Sequence, residues 1–177
     1  MTRYIYGRAM PLHDSYVEAS TDITGEQYEV QLIPDRSVIQ LDTIIGATVQ
    51  HDYCEEIGRS DKGTLDIVVN DTGVYFRIHC MTDRARRTHA RIRRGELKHC
   101  SLSFTYKSRQ IIEKEQQAAQ LTRALGWEHA TVKVNEYTEI LIFEICVCDH
   151  PANHNTFTTT NGHDPRLAGI DWRMGRG

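Results

Sequence analysis

The chain has 177 residues and a formal net charge of −3, from 21 basic and 24 acidic residues. This length suits one domain, or one domain with a tail, and allows a substantial core. With 40% hydrophobic and 25% charged residues, the composition is typical of globular proteins and excludes collagen, long disorder and membrane spans. The slightly acidic balance argues against a protein that coats nucleic acid, and nine histidines are the one unusual count.

The first fifty residues predict short strands separated by turns. Residues 4–6 and 28–33 are rich in β-favouring side chains, and prolines and glycines punctuate the stretch between them. A third apolar run covers residues 44–49 and ends just before His51. This part of the chain is therefore expected to form β-structure.

Residues 64–80 predict a β-hairpin. Apolar side chains alternate along residues 65–69, and the turn-forming sequence Asn-Asp-Thr-Gly follows at residues 70–73. Residues 74–78 are then expected to form the return strand.

Two helices are predicted after the hairpin. The first covers residues 82–95, where Thr82 can cap the N-terminus and Gly95 suits the C-terminal end. Its six arginines suit a solvated helix face, although a role in binding an anion is an alternative. The second helix is predicted at residues 110–126, on a rough stripe of apolar side chains with a spacing near 3.6.

The last predicted strands cover residues 100–106 and 137–148. In the first of them, apolar and hydroxyl side chains occupy opposite faces. After these strands the chain becomes polar and shows no periodicity, so residues 152–177 are expected to form a loop or a disordered tail. The predicted domain therefore covers residues 1–151.

No targeting segment is predicted, because the N-terminus lacks the apolar stretch of a signal peptide. The longest strongly apolar run, residues 140–143, is far too short to cross a bilayer. The five cysteines are therefore interpreted as reduced thiols of a cytosolic protein.

Residue types alone leave two sulfur-based interpretations open. Cys146, Cys148, His150 and His154 are residue types that bind zinc, although Cys-x-Cys is not the usual knuckle spacing. Cys100 follows a histidine and lies near several arginines, a setting that favours a reactive thiolate. A small zinc-binding domain and a cysteine enzyme are therefore alternatives.

A serine nucleophile with a histidine base is a third interpretation, because histidine can take a serine proton near neutral pH. His51 stands out because it ends an apolar strand just before a polar turn. Ser101 stands out because it begins a strand after the arginine-rich helix. Glu144 lies in a strand that is apolar on both faces, so it needs a partner, such as a histidine or an arginine, unless it lies at an edge.

Five short segments follow one another along the chain. They are Tyr-Ile-Tyr-Gly-Arg-Ala-Met-Pro at 4–11, His51-Asp52 with Ile57-Gly58-Arg59, Asp-Thr-Gly-Val-Tyr-Phe at 71–76, the stretch from Ile92 to Phe104, and Glu144 with Pro151-Ala152-Asn153. None of the segments is specific by itself, but the five in this order resemble the tailed-phage prohead proteases. These are serine peptidases that mature procapsids, and they are related in fold to the herpesvirus assembly proteases.

The resemblance implies an α+β fold like that of the herpesvirus proteases, with a mostly antiparallel, barrel-like β-sheet and about two helices. It also implies His51, Ser101 and Glu144 as the catalytic residues. Ser101 would attack a peptide carbonyl while His51 takes its proton, and Glu144 would orient the protonated His51. Backbone amides near residues 93–95 are the candidate donors to the oxyanion.

The sequence departs from the family pattern near the expected nucleophile. Ser103 stands where the family usually has glycine, so two serines compete, and the spacing from the preceding glycine favours Ser101. Glu144 matches the acidic position of the family, but Asp149 and His150 are alternatives because the herpesvirus relatives use a second histidine.

The resemblance also implies the partners and the place of action. The substrates would be the major capsid protein or its scaffold segment, the scaffold protein and the protease itself. Cleavage would occur inside the procapsid in the host cytoplasm, and residues 152–177 would be a self-processing region. No nucleic acid, membrane, metal or cofactor is implied. A non-catalytic capsid-assembly scaffold protein of the same fold is the alternative.

Overall fold

The structure is a computed structural model that describes residues 2–13, 15–22, 25–116 and 131–175. It combines α and β elements, as expected. Helix α1 covers Asp83–Arg93. The strands of the described residues are β1 (Tyr4–Pro11), β2 (Ser15–Asp22), β3 (Gly25–Leu32), β4 (Ile39–Val49), β5 (Gly58–Arg59), β6 (Leu65–Asn70), β7 (Gly73–His79), β8 (His99–Gln110), β9 (Thr131–Cys148) and β10 (Phe157–Thr159).

The local predictions agree with these elements. The hairpin is confirmed as β6 and β7, which pair antiparallel. Helix α1 is confirmed with both of its signals, since Thr82 Oγ1 accepts from Ala85 N at 3.1 Å and Gly95 has φ +75°. The second predicted helix begins later than expected, because Gln110 is the last residue of β8 and residue 111 is not helical. Residues 112–116 are helical, and the rest of the predicted helix, from 117, lies outside the described residues. None of the helices described here has the length and hydrophobicity of a membrane span.

The strands form two sheets. The first has the order β10-β1-β7-β6, and the second has the order β2-β3-β9-β4-β5, with β8 on the other edge of β9. β9 is the axis of the second sheet, because it pairs antiparallel with β8 and parallel with both β3 and β4. The predicted antiparallel pairing holds for the other described strand pairs.

The expected barrel-like sheet is the main difference, because the described strands do not close into a barrel. The sheets approach each other at two corners, where Thr158 N donates to Lys98 O at 2.8 Å and Thr64 N, next to β6, donates to Arg59 O of β5 at 3.1 Å. The strands nearest these corners are too short to carry a continuous ladder, since β10 has three residues and β5 has two. The closer likeness to the herpesvirus proteases stays a prediction.

The core lies between the two sheets, and α1 contributes Ala85 and Ile92 to it. Burying a large aliphatic or aromatic side chain stabilises a fold by about 2 kcal/mol, so this cluster holds the sheets together. Its members that have no exposed surface include Ile5, Phe76 and Ile78 of the first sheet and Ile140, Ile142 and Ile145 of the second.

The segment after residue 151 differs from the expected loop or disordered tail, because residues 152–175 pack on the first sheet. β10 pairs with β1, placing Phe157 opposite Arg8. Phe157 and Leu167 are buried, and Trp172 packs against the same small cluster. A strand of three residues carries no detectable periodicity, so the sequence did not reveal it. The division of the chain after residue 151 stays a prediction.

We expect Gly7→Ala to destabilise the protein by about 3 kcal/mol in urea unfolding. A Cβ at Gly7 would lie 2.6 Å from the Phe76 ring and closer still to the Phe157 carbonyl oxygen, so β10 would have to move away from β1. Gly46→Ala is the control, because its new Cβ would meet its nearest heavy atom at 3.9 Å. Equal unfolding midpoints for the two variants would contradict this account of the β1–β10 contact.

Candidate active site

Three adjacent strands of the second sheet carry the candidate catalytic residues. Glu144 of β9 pairs in register with Ser103 of β8, and Cys146 pairs with Ser101. On its other edge β9 pairs with β4, and His51 lies two residues after the end of β4. The sheet register therefore brings the histidine, the carboxylate and both serines to one region.

The turn after β4 directs His51 back over β9. Gln50 and His51 have φ +55° and +56°, a left-handed conformation that is uncommon in residues other than glycine and that recurs at functional sites. The turn is held because Gln50 N donates to Val147 O and His51 N donates to Cys146 Sγ, both at 3.0 Å. The backbone of His51 is therefore fixed against the strand that carries Glu144.

The Glu144 carboxylate is buried, with 1% of its side chain exposed, and it has three donors. Oε1 accepts from Thr48 Oγ1 at 2.6 Å, while Oε2 accepts from His51 Nδ1 at 2.9 Å and from Ser103 Oγ. Burial by itself would raise the pKa of Glu144, but these hydrogen bonds outweigh it and the pKa is lowered. Glu144 is therefore ionised at neutral pH, as the expected partnership with a histidine requires.

The bond to Glu144 determines the tautomer of His51. An ionised carboxylate only accepts, so Nδ1 carries the proton and Nε2 of the neutral ring is left with a free electron pair. The His51 side chain is 43% exposed, and no hydrogen bond of Nε2 occurs within the described part of the chain. His51 therefore offers a base on its accessible side.

The two serines have different relations to this pair. They lie on the same face of β8, since they are two residues apart in a regular stretch of strand. Ser103 Oγ lies 3.3 Å from His51 Nδ1 and donates to Glu144. Ser101 lies opposite Cys146, and among the described residues no hydrogen bond joins it to His51 or Glu144. The structure thus connects His51 and Glu144 directly and leaves Ser101 beside them.

A sequence model of the caudovirus prohead serine protease family matches residues 36–165. The chain belongs to this family. The match covers β4, β8 and β9, which carry the candidate site, and the family supports a protease role in capsid maturation. No curated protein and no solved structure matched the sequence.

Asp149 and His150, the alternatives to Glu144 as third residue, follow directly after β9. Asp149 and His150 are both exposed, and Asp149 Oδ1 accepts from Gln50 Nε2 at 2.6 Å. That bond is the main reason why the pKa of Asp149 is lowered. Asp149 therefore supports the turn before His51, whereas Glu144 contacts the imidazole ring itself.

The expectation that amides near residues 93–95 serve the oxyanion is wrong, because these amides close the end of α1. Arg94 N donates to Ala90 O at 3.2 Å, and Gly95 N donates to Ile92 O at 2.9 Å. An amide that is engaged at a helix end cannot bind a substrate oxygen without breaking that bond. These amides are therefore not free for the expected role.

The cysteine-nucleophile interpretation is also wrong. Cys100 has no exposed surface, and its thiol donates to Arg8 O at 3.1 Å and to Phe157 O at 3.3 Å. Burial raises the pKa of this thiol strongly, so it stays protonated. For the zinc alternative, the residues that the structure describes contain no group of three or more His, Cys, Asp and Glu side chains that could hold a metal ion.

Sequence reasoning missed Thr48 and gave Ser103 only the role of a competing nucleophile. Thr48 is 2% exposed and belongs to the apolar run before His51. A hydroxyl in a buried strand needs a hydrogen-bond partner, as does a buried carboxylate. Thr48 is the polar residue of the apolar run 44–49, and Glu144 is a polar residue within the apolar stretch of β9. Because each needs a partner, pairing the two would have predicted their hydrogen bond.

Proposed function

We propose that this chain is a serine endopeptidase in which Ser101 is the nucleophile, His51 the general base and Glu144 the carboxylate that orients His51. The observation that carries the proposal is the 2.9 Å hydrogen bond between Glu144 Oε2 and His51 Nδ1, beside a strand that bears two serines. Membership of the prohead protease family supports the same chemistry.

The side of the imidazole that Ser103 faces supports Ser101 as the nucleophile. In a serine triad the carboxylate binds Nδ1, and Nε2 takes the proton of the nucleophile. Ser103 lies on the Nδ1 side and donates its own proton to Glu144. A nitrogen that already carries a proton cannot accept another, so Ser103 supports the carboxylate. Ser101 is the remaining serine on that face of β8.

The proposed reaction is acyl transfer. The Ser101 hydroxyl proton passes to His51 Nε2 as the Oγ–C bond forms, and the carbonyl π electrons move to oxygen. These electrons return as the C–N bond breaks, and His51 gives its proton to the leaving amine. Water then attacks the acyl-serine in the same way, which releases the new carboxyl end and restores Ser101. The ionised Glu144 stabilises the imidazolium in both halves.

The proposed substrates are proteins of the procapsid, because the family acts in its maturation. They are the major capsid protein or its scaffold segment, the scaffold protein and the chain itself, cleaved inside the procapsid in the host cytoplasm. Self-processing in residues 152–177 is part of this proposal. A cut after residue 151 would release β10 from β1.

Two measurements test the proposal. Co-expression with the capsid precursor of the same phage is expected to give a shortened capsid protein, whose new terminus is read by sequencing. A fluorophosphonate, which reacts with activated serines, is expected to leave one adduct on the peptide that contains Ser101. Intact precursor together with an unlabelled protease would contradict the proposal and favour a non-catalytic assembly protein.

A further inference from the structure

The backbone N–H of Leu102 points out of the edge of β8 that does not face β9, here called the outer edge. In an antiparallel pair, successive residues direct their N–H and C=O groups alternately toward the partner strand and away from it. Cys100 N points away from β9, because it donates to Thr156 Oγ1 at 3.4 Å. Ser101 therefore directs its backbone groups toward Cys146 of β9, and Leu102 directs its N–H outward.

The pairing on the other side of β9 fixes the same alternation independently. Gln50 N donates to Val147 O at 3.0 Å, so the backbone carbonyl of Val147 points toward β4 and away from β8. Val147 lies opposite Cys100, and Leu102 is oriented like Cys100 because it is two residues further along the strand. The N–H of Leu102 is therefore not part of the β8–β9 ladder.

No other group of the fold occupies this amide within the described part of the chain. No strand there pairs with the outer edge of β8, and no turn or side chain accepts a hydrogen bond from Leu102 N. Leu102 is only partly buried, so the edge is accessible. The outer edge thus presents a free backbone donor directly after Ser101, as unpaired sheet edges do.

The base reaches Ser101 from the opposite side. His51 is held over β9, because its N donates to Cys146 Sγ at 3.0 Å and its Nδ1 donates to Glu144 Oε2 at 2.9 Å. The Ser101 proton therefore leaves toward β9, and the carbonyl carbon has to approach Oγ from another direction. The side toward which the Leu102 N–H points is open to it.

We propose that the backbone N–H of Leu102 donates to the carbonyl oxygen of the scissile peptide and stabilises the oxyanion. This inference rests on the proposed function, because it takes Ser101 as the nucleophile. As Oγ bonds to the carbonyl carbon, the π electron pair moves to the oxygen that faces Leu102 N, and it returns when the C–N bond breaks. The amide keeps its proton throughout. Because the sheet fixes this amide before the reaction, it stabilises the charge without reorganising.

Replacing Leu102 by the corresponding α-hydroxy acid, through nonsense suppression, exchanges its N–H for an ester oxygen and keeps the side chain. We expect kcat for hydrolysis of p-nitrophenyl acetate to fall about 10²–10³-fold. KM should stay within about threefold of the wild type, because the contact forms fully only in the transition state. Labelling by a fluorophosphonate, in which the Oγ–P bond forms, fluoride leaves and the serine proton passes to His51, should slow by a similar factor.

The same exchange at Phe104 is the matched control. Leu102 and Phe104 both pack their side chains against the core, so their N–H groups point out of the same edge of β8. In each variant the carbonyl of the preceding serine, which points toward β9, becomes an ester carbonyl and a weaker acceptor. The Phe104 variant should hydrolyse p-nitrophenyl acetate at the wild-type rate. Circular dichroism under the assay conditions checks that each variant is folded.

A second measurement uses the unmodified chain and does not depend on the folding of a variant. In the fluorophosphonate adduct, the phosphonyl oxygen stands in for the oxyanion. In protein carrying isotope-labelled leucine, we expect the Leu102 amide proton, assigned with Leu102→Met, to move downfield when the adduct forms. Its exchange with water should also slow, because the amide gains an acceptor.

The outcomes separate this inference from the proposed function. Wild-type labelling at Ser101 with an unchanged rate in the folded Leu102 ester would overturn the role of Leu102 and leave the serine protease standing. So would a larger KM with unchanged kcat, an equal loss in the Phe104 ester, or an unchanged Leu102 resonance in the adduct. A wild-type protein that neither labels nor cleaves would overturn the proposed function and this inference with it.

Discussion

Ser101→Ala is expected to abolish cleavage of a co-expressed capsid precursor, with a loss of about 10⁶-fold, whereas Ser103→Ala should lower the rate by about 10–100-fold. Removing Ser101 removes the atom that forms the acyl bond. Removing Ser103 removes one of three donors to the Glu144 carboxylate, and a hydrogen bond to a charged group contributes about 1.5–3 kcal/mol.

The measurement is the amount of shortened capsid protein at fixed times, with urea unfolding of each purified variant as the control for folding. Ser101→Ala should unfold like the wild type, because no hydrogen bond of its hydroxyl to His51 or Glu144 is present in the described part of the chain. The opposite ranking of the two variants would move the nucleophile to Ser103. Full activity in both would contradict a serine mechanism.

Local sequence signals were sufficient for the elements whose pairing is also local. The hairpin of β6 and β7 depends on alternating side chains and one turn, and both are contiguous in the chain. The side chain of Thr82 caps the start of α1, and Gly95 adopts a positive φ just after its end. Both effects act within one turn of the helix. Each of these signals acts within about a dozen residues, so no knowledge of the rest of the fold was needed.

Long-range pairing was not predictable in the same way. β9 meets β3 and β4 in parallel across about a hundred residues of intervening chain, and nothing in an apolar strand specifies which partner lies at its edge. The open arrangement of the sheets depends on β5 and β10, which are too short to show a periodic pattern. The barrel expectation failed because it assumed a closure that these short strands do not make.

The site was predictable where polarity conflicts with burial. His51 and Glu144 stood out because each interrupts or ends an apolar strand, and the structure joins them. The choice between Ser101 and Ser103 was open because both lie on one face of β8. The prediction of the oxyanion donor was wrong for a reason that the sequence already contained. If Gly95 ends a helix, the amides around it are used to close that helix.

Glu144→Gln is expected to lower activity by about 10⁴-fold while leaving both serines in place. The carboxylate accepts from Thr48, Ser103 and His51, whereas an amide in its position has only one accepting oxygen. An amide nitrogen facing His51 would favour the tautomer that carries the proton on Nε2, which cannot take a proton from Ser101. Labelling by a fluorophosphonate should fall together with precursor cleavage, and unchanged labelling would contradict the orienting role of Glu144.

The difference in free energy of unfolding between Glu144→Gln and the wild type is expected to depend on pH. Hydrogen bonds lower the pKa of Glu144 in the folded protein below its ordinary value of 4.5, against the effect of burial. The stabilisation that its charge contributes is therefore fully present above about pH 4.5, and it is lost as the pH falls through the lower folded-state pKa.

Glu144→Gln, which does not titrate, should be about 3 kcal/mol less stable than the wild type at pH 7, because buried donors lose their partner. Urea unfolding of both proteins between pH 3 and 7 should show this difference shrinking toward acid. A difference that stays constant, or that grows as the pH falls, would mean that the buried group at position 144 is not held as a carboxylate.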